Sequence, residues 1–384
     1  MTTDAVLANH PFTLHRFPLE QKNRSLQAWD SADEYLLDYI SEEYQSVRNI
    51  LVLNDSFGAL SCAISTLYQQ DEQLPCIHFV NDSFVSTAAC RHNLKENQLP
   101  LTHISFLDSL ETLPHAVDLI VLKIPKNAGY LQHQLAQLSH LPADIPVIAA
   151  GKAKEIHTST LKSFNHFLSE PKTSLAVKKS RLIFSSTTNK PVNSKFPVSW
   201  PLESTEMTLI NHANVFSRDS LDIGARFFIN YLPAGKKPLN IIDLGCGNGV
   251  IGLQTLKRMP NAKVTFVDES AMAVASAQQN VQHNLPERLS HCQFTHNDCL
   301  TDFAPNSTDL VLCNPPFHQA QAITDHIAWQ MFLQAKYTLR NGGELRIIGN
   351  RHLDYQDKLQ RLFGNCKVLG NNKKFTVLSV IKRS

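Results

Sequence analysis

The chain has 384 residues, 43% of them apolar and 18% charged, with a formal net charge of +2 at pH 7. At about 100–200 residues per domain this length predicts two or three domains, and the composition is too apolar for a disordered chain. The near-zero total implies no polyanion-binding tail, no uncharged apolar run of roughly 18 residues offers a membrane span, and residues 1–17 lack the basic start and apolar run of a secretory signal, so a cytoplasmic protein is expected.

In chain order, Asn49–Leu53 reads as a strand, followed by a turn around Asp55-Ser-Phe-Gly58 and a helix. Ile77–Val80 is the next strand, with a helix over Val85–Glu96, and Asp118–Leu122 is a third strand running into Lys123-Ile-Pro-Lys126. Residues 185–201 are polar and carry prolines at 191, 197 and 201, which is the chemistry of a linker with room for an edge strand. The second half opens with strand Asn240–Leu244, a Gly-rich turn and a helix over Val250–Met259, stopped by Pro260-Asn261. Strand Lys263–Val267, helix Ala271–Asn284, strand Asp309–Cys313 and helix Ile323–Leu339 follow, the last closed by Asn341-Gly-Gly. Glu344–Ile348 and Phe375–Ile381 add two strands. Strands alternating with helices predict doubly wound, mostly parallel α/β sheets, with ligands at the carboxyl ends of the strands.

The halves repeat each other. Asn49 and Asn240 are 191 residues apart, Ile77 and Val264 187, Ile124 and Asn314 190. Three near-equal offsets in the same order indicate a duplicated domain. The predicted organisation is a first domain over 1–184, a linker over 185–201 and a second domain over 202–384.

Charge is segregated along the chain. Residues 1–151 hold 8 Lys+Arg against 17 Asp+Glu, residues 152–195 hold 9 against 2, and residues 336–384 hold 11 against 3. The two basic blocks point to a polyanionic partner or to ordinary solvated faces. The eight cysteines include no CxxC pair, and the 17 histidines include no HExxH, so buried thiols and no metal are expected.

The chemistry concentrates in four places. Ile241-Ile-Asp-Leu-Gly-Cys-Gly-Asn-Gly249 sets Asp243 inside a strand and Gly245, Gly247 and Gly249 in the turn after it. The GxGxG spacing differs from the GxGxxG of dinucleotide sites and lacks the GK[ST] end of a P-loop. Asp268 closes the next strand, where a carboxylate can accept from both hydroxyls of a ribose or cap the helix that follows. Asp298 follows the third strand-like segment, where it could accept from an adenine amino group. Cys313-Asn-Pro-Pro-Phe-His318 closes the fourth strand. There Asn314 Oδ1 and the Pro315 carbonyl form a rigid two-acceptor clamp for an –NH2 group, and Phe317 offers a stacking face.

DLGCGNG, VDES and NPPF together resemble class I S-adenosylmethionine-dependent methyltransferases that act on exocyclic or amide nitrogen. Asn211-His-Ala-Asn-Val-Phe-Ser-Arg, Leu221-Asp-Ile-Gly-Ala-Arg, Val311-Leu-Cys-Asn-Pro-Pro-Phe-His and Asn350-Arg-His-Leu-Asp-Tyr resemble the duplicated-domain ribosomal RNA guanine-N2 methyltransferases. So do Leu26-Gln-Ala-Trp-Asp-Ser-Ala-Asp-Glu-Tyr-Leu and Ala150-Gly-Lys-Ala-Lys-Glu-Ile-His-Thr-Ser-Thr in the first half. The likeness is nearest to the members acting on 23S rRNA, with those acting on 16S rRNA next.

That resemblance implies two tandem Rossmann-like class I methyltransferase domains, the first degenerate. It implies S-adenosylmethionine as cofactor, held by Asp243, Gly245, Gly247, Gly249, Asp268, Asp298 and Asn314, and catalysis by Asn314, Pro315 and Phe317. Phe216 and Arg218 would line the pocket. Aligning the halves pairs Asp243 with Val52, Gly245 with Asn54, Gly247 with Ser56, Asp268 with Asn81 and Asn314 with Ile124, so the first copy is expected to bind no cofactor. Its basic end (Lys152, Lys154, Lys178, Lys179, Arg181) would contact 23S rRNA phosphates. A chain with two domains of its own is expected to be a monomer. Competing readings are methylation of adenine N6 or protein glutamine by the same clamp, and a catalytically silent RNA-binding assembly factor.

Overall fold

Leu51–Leu53 and Leu119–Leu122 are fully buried runs of branched side chains, as strands covered by helices on both faces require. The structure is a computed structural model describing residues 3–19, 26–69, 73–316 and 321–383. It divides into two units, Met1–Lys195 and Phe196–Ser384.

In the first unit a hairpin, β1 (Asp4–Leu7) and β2 (His10–Thr13), precedes α1 (Ser31–Glu43). Then come β3 (Asn49–Leu53), α2 (Ala59–Leu67), β4 (Cys76–Asn81), α3 (Phe84–Glu96), β5 (Ile104–Asp108) and β6 (Leu119–Lys123). The unit closes with α4 (Ala128–Leu138), β7 (Pro146–Lys152), α5 (Thr158–Phe167), β8 (Lys172–Thr173) and β9 (Ser180–Ser186). Its seven-stranded sheet has the order β5-β4-β3-β6-β7-β9-β8. The first five strands run parallel, and β9 is antiparallel to both neighbours.

The second unit repeats this plan. A hairpin, β10 (Val198–Pro201) and β11 (Thr208–Asn211), precedes α6 (Ile223–Ile229), β12 (Asn240–Leu244) and α7 (Val250–Arg258). β13 (Lys263–Asp268), α8 (Ala271–Asn284), β14 (Cys292–His296), β15 (Thr308–Cys313) and α9 (Gln321–Thr338) follow. β16 (Leu339–Asn350), α10 (Tyr355–Phe363), β17 (Lys367–Asn371) and β18 (Phe375–Ile381) complete it. The order β14-β13-β12-β15-β16-β18-β17 is the first sheet's order again, with β18 as the antiparallel strand. Both units are thus doubly wound α/β sheets of the Rossmann-like methyltransferase type.

The repetition extends to single hydrogen bonds. Asn93 on α3 accepts from His15 N–H and donates to the Phe57 carbonyl, while Asn280 on α8 accepts from Ile210 N–H and donates to the Asn248 carbonyl. Asn97 exchanges two bonds with the backbone of Thr13, and Asn284 does the same with Thr208. In each copy a buried asparagine ties the end of the N-terminal hairpin, or the residues just after it, to the loop after the central strand.

Three expectations change. Ser185 and Ser186, read as linker, belong to β9, and Val192 N–H donates to Ser139 Oγ at 2.9 Å, so the first unit continues to Lys195. Val198–Pro201 pairs with β11 and joins neither large sheet. Asn341-Gly-Gly, read as the close of the preceding helix, lies inside β16, where pairing with β15 jumps from Thr308–Leu339 to Leu310–Glu344; Gly342, at φ +80°, lets the strand absorb the extra residues.

Candidate functional site

The strand order of the second sheet reverses at β12, with β13 on one side and β15 on the other. The loops leaving these strands therefore diverge and leave a crevice at their carboxyl ends, the usual ligand position in open α/β sheets. Gly245, Asp268 and Asn314 all lie on this edge, at the ends of β12, β13 and β15.

Gly245, Gly247 and Gly249 have φ of +69°, +54° and +77°, a backbone region where a Cβ is costly. Their surroundings differ. A Cβ on Gly249 would lie 2.7 Å from the Ala277 Cβ, so this glycine lets α7 start against α8. A Cβ on Gly245 would meet Met331 Cε at 3.0 Å. One on Gly247 would meet nothing within 4 Å, so Gly247 presents bare backbone to open space.

Asp243 is 2% exposed, and its Oδ2 accepts from Gly252 N–H at 2.8 Å. Burial pushes its carboxyl up to about 8 against that hydrogen bond, so it is largely protonated at neutral pH. Asp268 links two segments: Oδ2 accepts from Gly247 N–H at 2.8 Å and Oδ1 from Ser270 N–H at 3.0 Å. The cap of α8 is Ser270, whose Oγ accepts from Ala273 N–H, so the capping alternative for Asp268 falls away. Asp298 Oδ1 accepts from Gln330 Nε2 at 3.1 Å, joining the segment after β14 to α9.

Asn314 follows β15 directly. Its Nδ2 donates to Asp222 Oδ2 at 3.4 Å, and its Oδ1 is buried without a hydrogen-bond partner among the described residues. Asp222 is the N-cap of α6, accepting from Ala225 N–H at 2.8 Å, and was not picked out from the sequence. An aspartate just before a short helix signals a cap; nothing local says that it faces a strand end 92 residues away. Pro315 is buried and Pro316 exposed, while Phe317 lies outside the described residues.

The first unit shows the same edge filled by its own side chains. Asn54 keeps the left-handed conformation of Gly245, at φ +64°, and exchanges hydrogen bonds with the Gln134 amide while donating to the Lys123 carbonyl. Asn81 keeps the Ser83 N–H contact on Oδ1 but donates through Nδ2 to the Asp55 carbonyl, where Asp268 accepts from Gly247. The sheet register corrects one correspondence. Leu53 pairs with Leu122 as Leu244 pairs with Cys313, so Lys123, not Ile124, stands in the place of Asn314. Lys123 Nζ lies 2.7 Å from both Asp30 Oδ1 and Asp33 Oδ1. Asp30 is the N-cap of α1, as Asp222 is of α6.

The basic residues of the first unit are scattered in role. Lys152, Lys154 and Lys179 are exposed. Lys178 and Lys179 form the tip of a tight hairpin turn with φ of +45° and +66°, between paired Val177 and Ser180. Lys178 Nζ lies 2.7 Å from Glu34 Oε2, and Arg181 Nε is buried without a hydrogen-bond partner among the described residues. In the second unit Arg218 is held by Asp219, the Ala213 carbonyl and the Phe196 ring, whereas Phe216 is 60% exposed. Among the described residues, His15, His92 and Glu96 of the first unit bring potential metal-ligand atoms within 4.8 Å of one another. No helix among them is long and apolar enough to cross a membrane.

A family model described as the RLMG N-terminal domain matches residues 2–189, and one described as a methyltransferase small domain matches residues 206–379. The chain is 61% identical over 385 residues to the ribosomal RNA large subunit methyltransferase G of Pseudoalteromonas translucida, covering 100% of this chain and 99% of that one. It is 49% identical to the protein of that name from Colwellia psychrerythraea, covering 96% and 97%. Among solved structures it resembles the T. thermophilus 16S rRNA N2 methyltransferase RsmC in complex with AdoMet and guanosine, with a TM-score of 0.74 and 21% identity over 99% of this chain and 98% of that one, a likeness of fold.

Proposed function

The chain belongs to the ribosomal RNA large subunit methyltransferase G family, and from that premise we propose that its second unit methylates the exocyclic N2 of a guanine in 23S rRNA, using S-adenosylmethionine. The observation that carries the reading is the buried Oδ1 of Asn314 at the switch point of the sheet, which has no hydrogen-bond partner among the described residues. A buried acceptor left unsatisfied costs about 1–3 kcal/mol, so it fits a ligand that donates. An amino group held by Asn314 Oδ1 and the Pro315 carbonyl is such a donor.

The residues along the edge suit the cofactor. Gly247 offers bare backbone where a ligand can approach, and the carboxylates of Asp268 and Asp298, acceptors placed at this edge, suit ribose hydroxyls and an adenine amino group. Asp243, Gly245 and Gly249 shape the loop, and Asn314 closes the pocket on the methyl side. When bound, S-adenosylmethionine supplies a methyl group on a sulfonium leaving group. The chain's own work is to place N2 in line and keep water out. Two acceptors on the N2 hydrogens draw the amine away from planarity and localise its lone pair. The amine loses its proton after gaining the methyl, so no base of tuned pKa is needed. Because a paired guanine hides N2 in the groove, the target is unpaired or flipped out.

In this reading the first unit is catalytically silent and holds the RNA through Lys152, Lys154, Lys178, Lys179 and Arg181. The protein acts in the cytoplasm as a monomer without a metal. Transfer from labelled S-adenosylmethionine to 23S and 16S rRNA from a strain lacking the protein, followed by nucleoside analysis, tests it. N2-methylguanosine in 23S rRNA, reduced roughly 100-fold or more by Asn314→Ala, is expected. Label confined to 16S rRNA overturns the substrate, and full activity of Asn314→Ala overturns the clamp.

A further inference from the structure

We propose that Asp222 is the positioning residue of this site: its carboxylate fixes which way the Asn314 amide faces, so that oxygen rather than nitrogen meets the target amine. The inference rests on the reading of Asn314 as an amine acceptor given above. An asparagine amide is nearly symmetric in shape, and its two ends are told apart only by their hydrogen-bond partners. A carboxylate is acceptor-only when ionised, so the group facing Asp222 has to be the –NH2. The opposite end, Oδ1, is thereby turned into the buried space where it has no hydrogen-bond partner among the described residues. With the amide reversed, a donor would face the donor amine and the clamp would repel its substrate.

Asp222 is itself held. Its Oδ2 accepts from Ala225 N–H in the first turn of α6, so it has little freedom to follow Asn314. The first unit supplies an independent view of the same geometry. There the cap carboxylate Asp30 reaches the residue after Leu122, and Lys123 Nζ lies 2.7 Å from Asp30 Oδ1. In both copies, then, the cap of the helix before the central strand bonds the side chain that stands at the end of the fourth strand. What differs is that side chain: an amide with a spare acceptor in the second copy, and an ammonium with none in the first.

The test separates holding from folding. Asp222→Ser retains a capping hydroxyl for α6 but is too short to reach Asn314. Asp222→Asn retains an oxygen that can accept from both Ala225 N–H and Asn314 Nδ2. Rates are measured on 23S rRNA from the strain lacking the protein, counted per S-adenosylmethionine-binding site so that misfolded chains do not enter. Asp222→Ser is expected to lower kcat roughly ten- to hundredfold, with cofactor affinity and the KM for RNA nearly unchanged. Asp222→Asn is expected to restore most of the rate. Asp222→Ser combined with Asn314→Ala is expected to be no slower than Asn314→Ala alone, because the first change acts only through Asn314. Wild-type kcat in Asp222→Ser, or full multiplicative loss in the double variant, overturns the proposal. Failure of the underlying clamp is recognised separately, by Asn314→Ala retaining wild-type activity.

Discussion

Replacing Lys123 with methionine removes the ammonium that lies 2.7 Å from both Asp30 and Asp33. Breaking a buried pair from one side costs about 3–5 kcal/mol when the remaining charge cannot reach water. The Asp30 side chain is 46% exposed and recovers hydration, so the cost falls on Asp33, which is 9% exposed, and the lower end of the range, about 3 kcal/mol, applies. Burial already lifts Asp33 to about 6 with the lysine in place, and the two carboxylates lift Lys123 above its ordinary value, so both shifts say that the cluster holds protons tightly. Because the folded Asp33 titrates above its unfolded value of about 3.9, the wild type loses this share of stability as pH rises from about 4 through 6. Without Lys123 the folded value climbs further and the loss extends to higher pH. The variant should thus be destabilised by about 3 kcal/mol at pH 8 and by about 1 kcal/mol at pH 5, where Asp33 is protonated. Urea unfolding at the two pH values, followed by the fluorescence of buried Trp29, measures this. At about 2 kcal/mol per molar urea the midpoint falls by roughly 1.5 M at pH 8. A cost that is equal at both pH values, or larger at pH 5, refutes the reasoning.

Gly247→Ala should cost only about 1 kcal/mol of stability, from its left-handed φ, yet weaken S-adenosylmethionine binding at least tenfold; Gly249→Ala should cost more stability because its Cβ meets Ala277, and thermal melting with calorimetric titration separates the two. Asp268→Asn should turn its amide to donate to the loop, as Asn81 does to Asp55, and lose the Gly247 contact, weakening cofactor binding at least tenfold by the same titration. Asp243→Asn keeps an acceptor for Gly252 N–H and cannot ionise. The folded Asp243 holds its proton up to about 8 while the unfolded chain loses it near 4, so wild-type stability should fall by a few kcal/mol relative to the variant as pH rises from 5 to 8. Parallel melting curves across that range would sink this account.

The regular elements were legible because they are local. Asn49–Leu53, Asn240–Leu244, Ala271–Asn284 and Phe375–Ile381 follow directly from apolar runs, caps and the Pro and Gly residues that end them. The duplication was legible too, since equal spacing of like segments needs no structure. Pairing partners were harder to see. The Asn341-Gly-Gly segment has loop composition, but the opposite strand supplies the hydrogen bonds that make it part of β16. Lys123 was displaced by one position because counting residues between motifs cannot detect where a register begins. Asp222 escaped for a related reason: its cap role is written in its neighbours, and its second contact depends on a strand far along the chain. At the site, the three glycines share a motif but differ in environment, and only the packing around them separates the one beside open space from the one pressed against α8.

The filled edge of the first unit has a consequence for any attempt to reopen it. Asn54 is paired with the Gln134 amide, and Lys123 with Asp30 and Asp33, so restoring Asn54 or Lys123 alone to its counterpart strands a partner. Asparagine 54 changed to glycine would leave the Gln134 amide unanswered, and a neutral residue at 123 would leave Asp33 without its counter-ion. Each step back is uphill, although the fully reverted state need not be. Opening this edge into a pocket like that of the second unit therefore requires several changes at once, because each polar group is held by another.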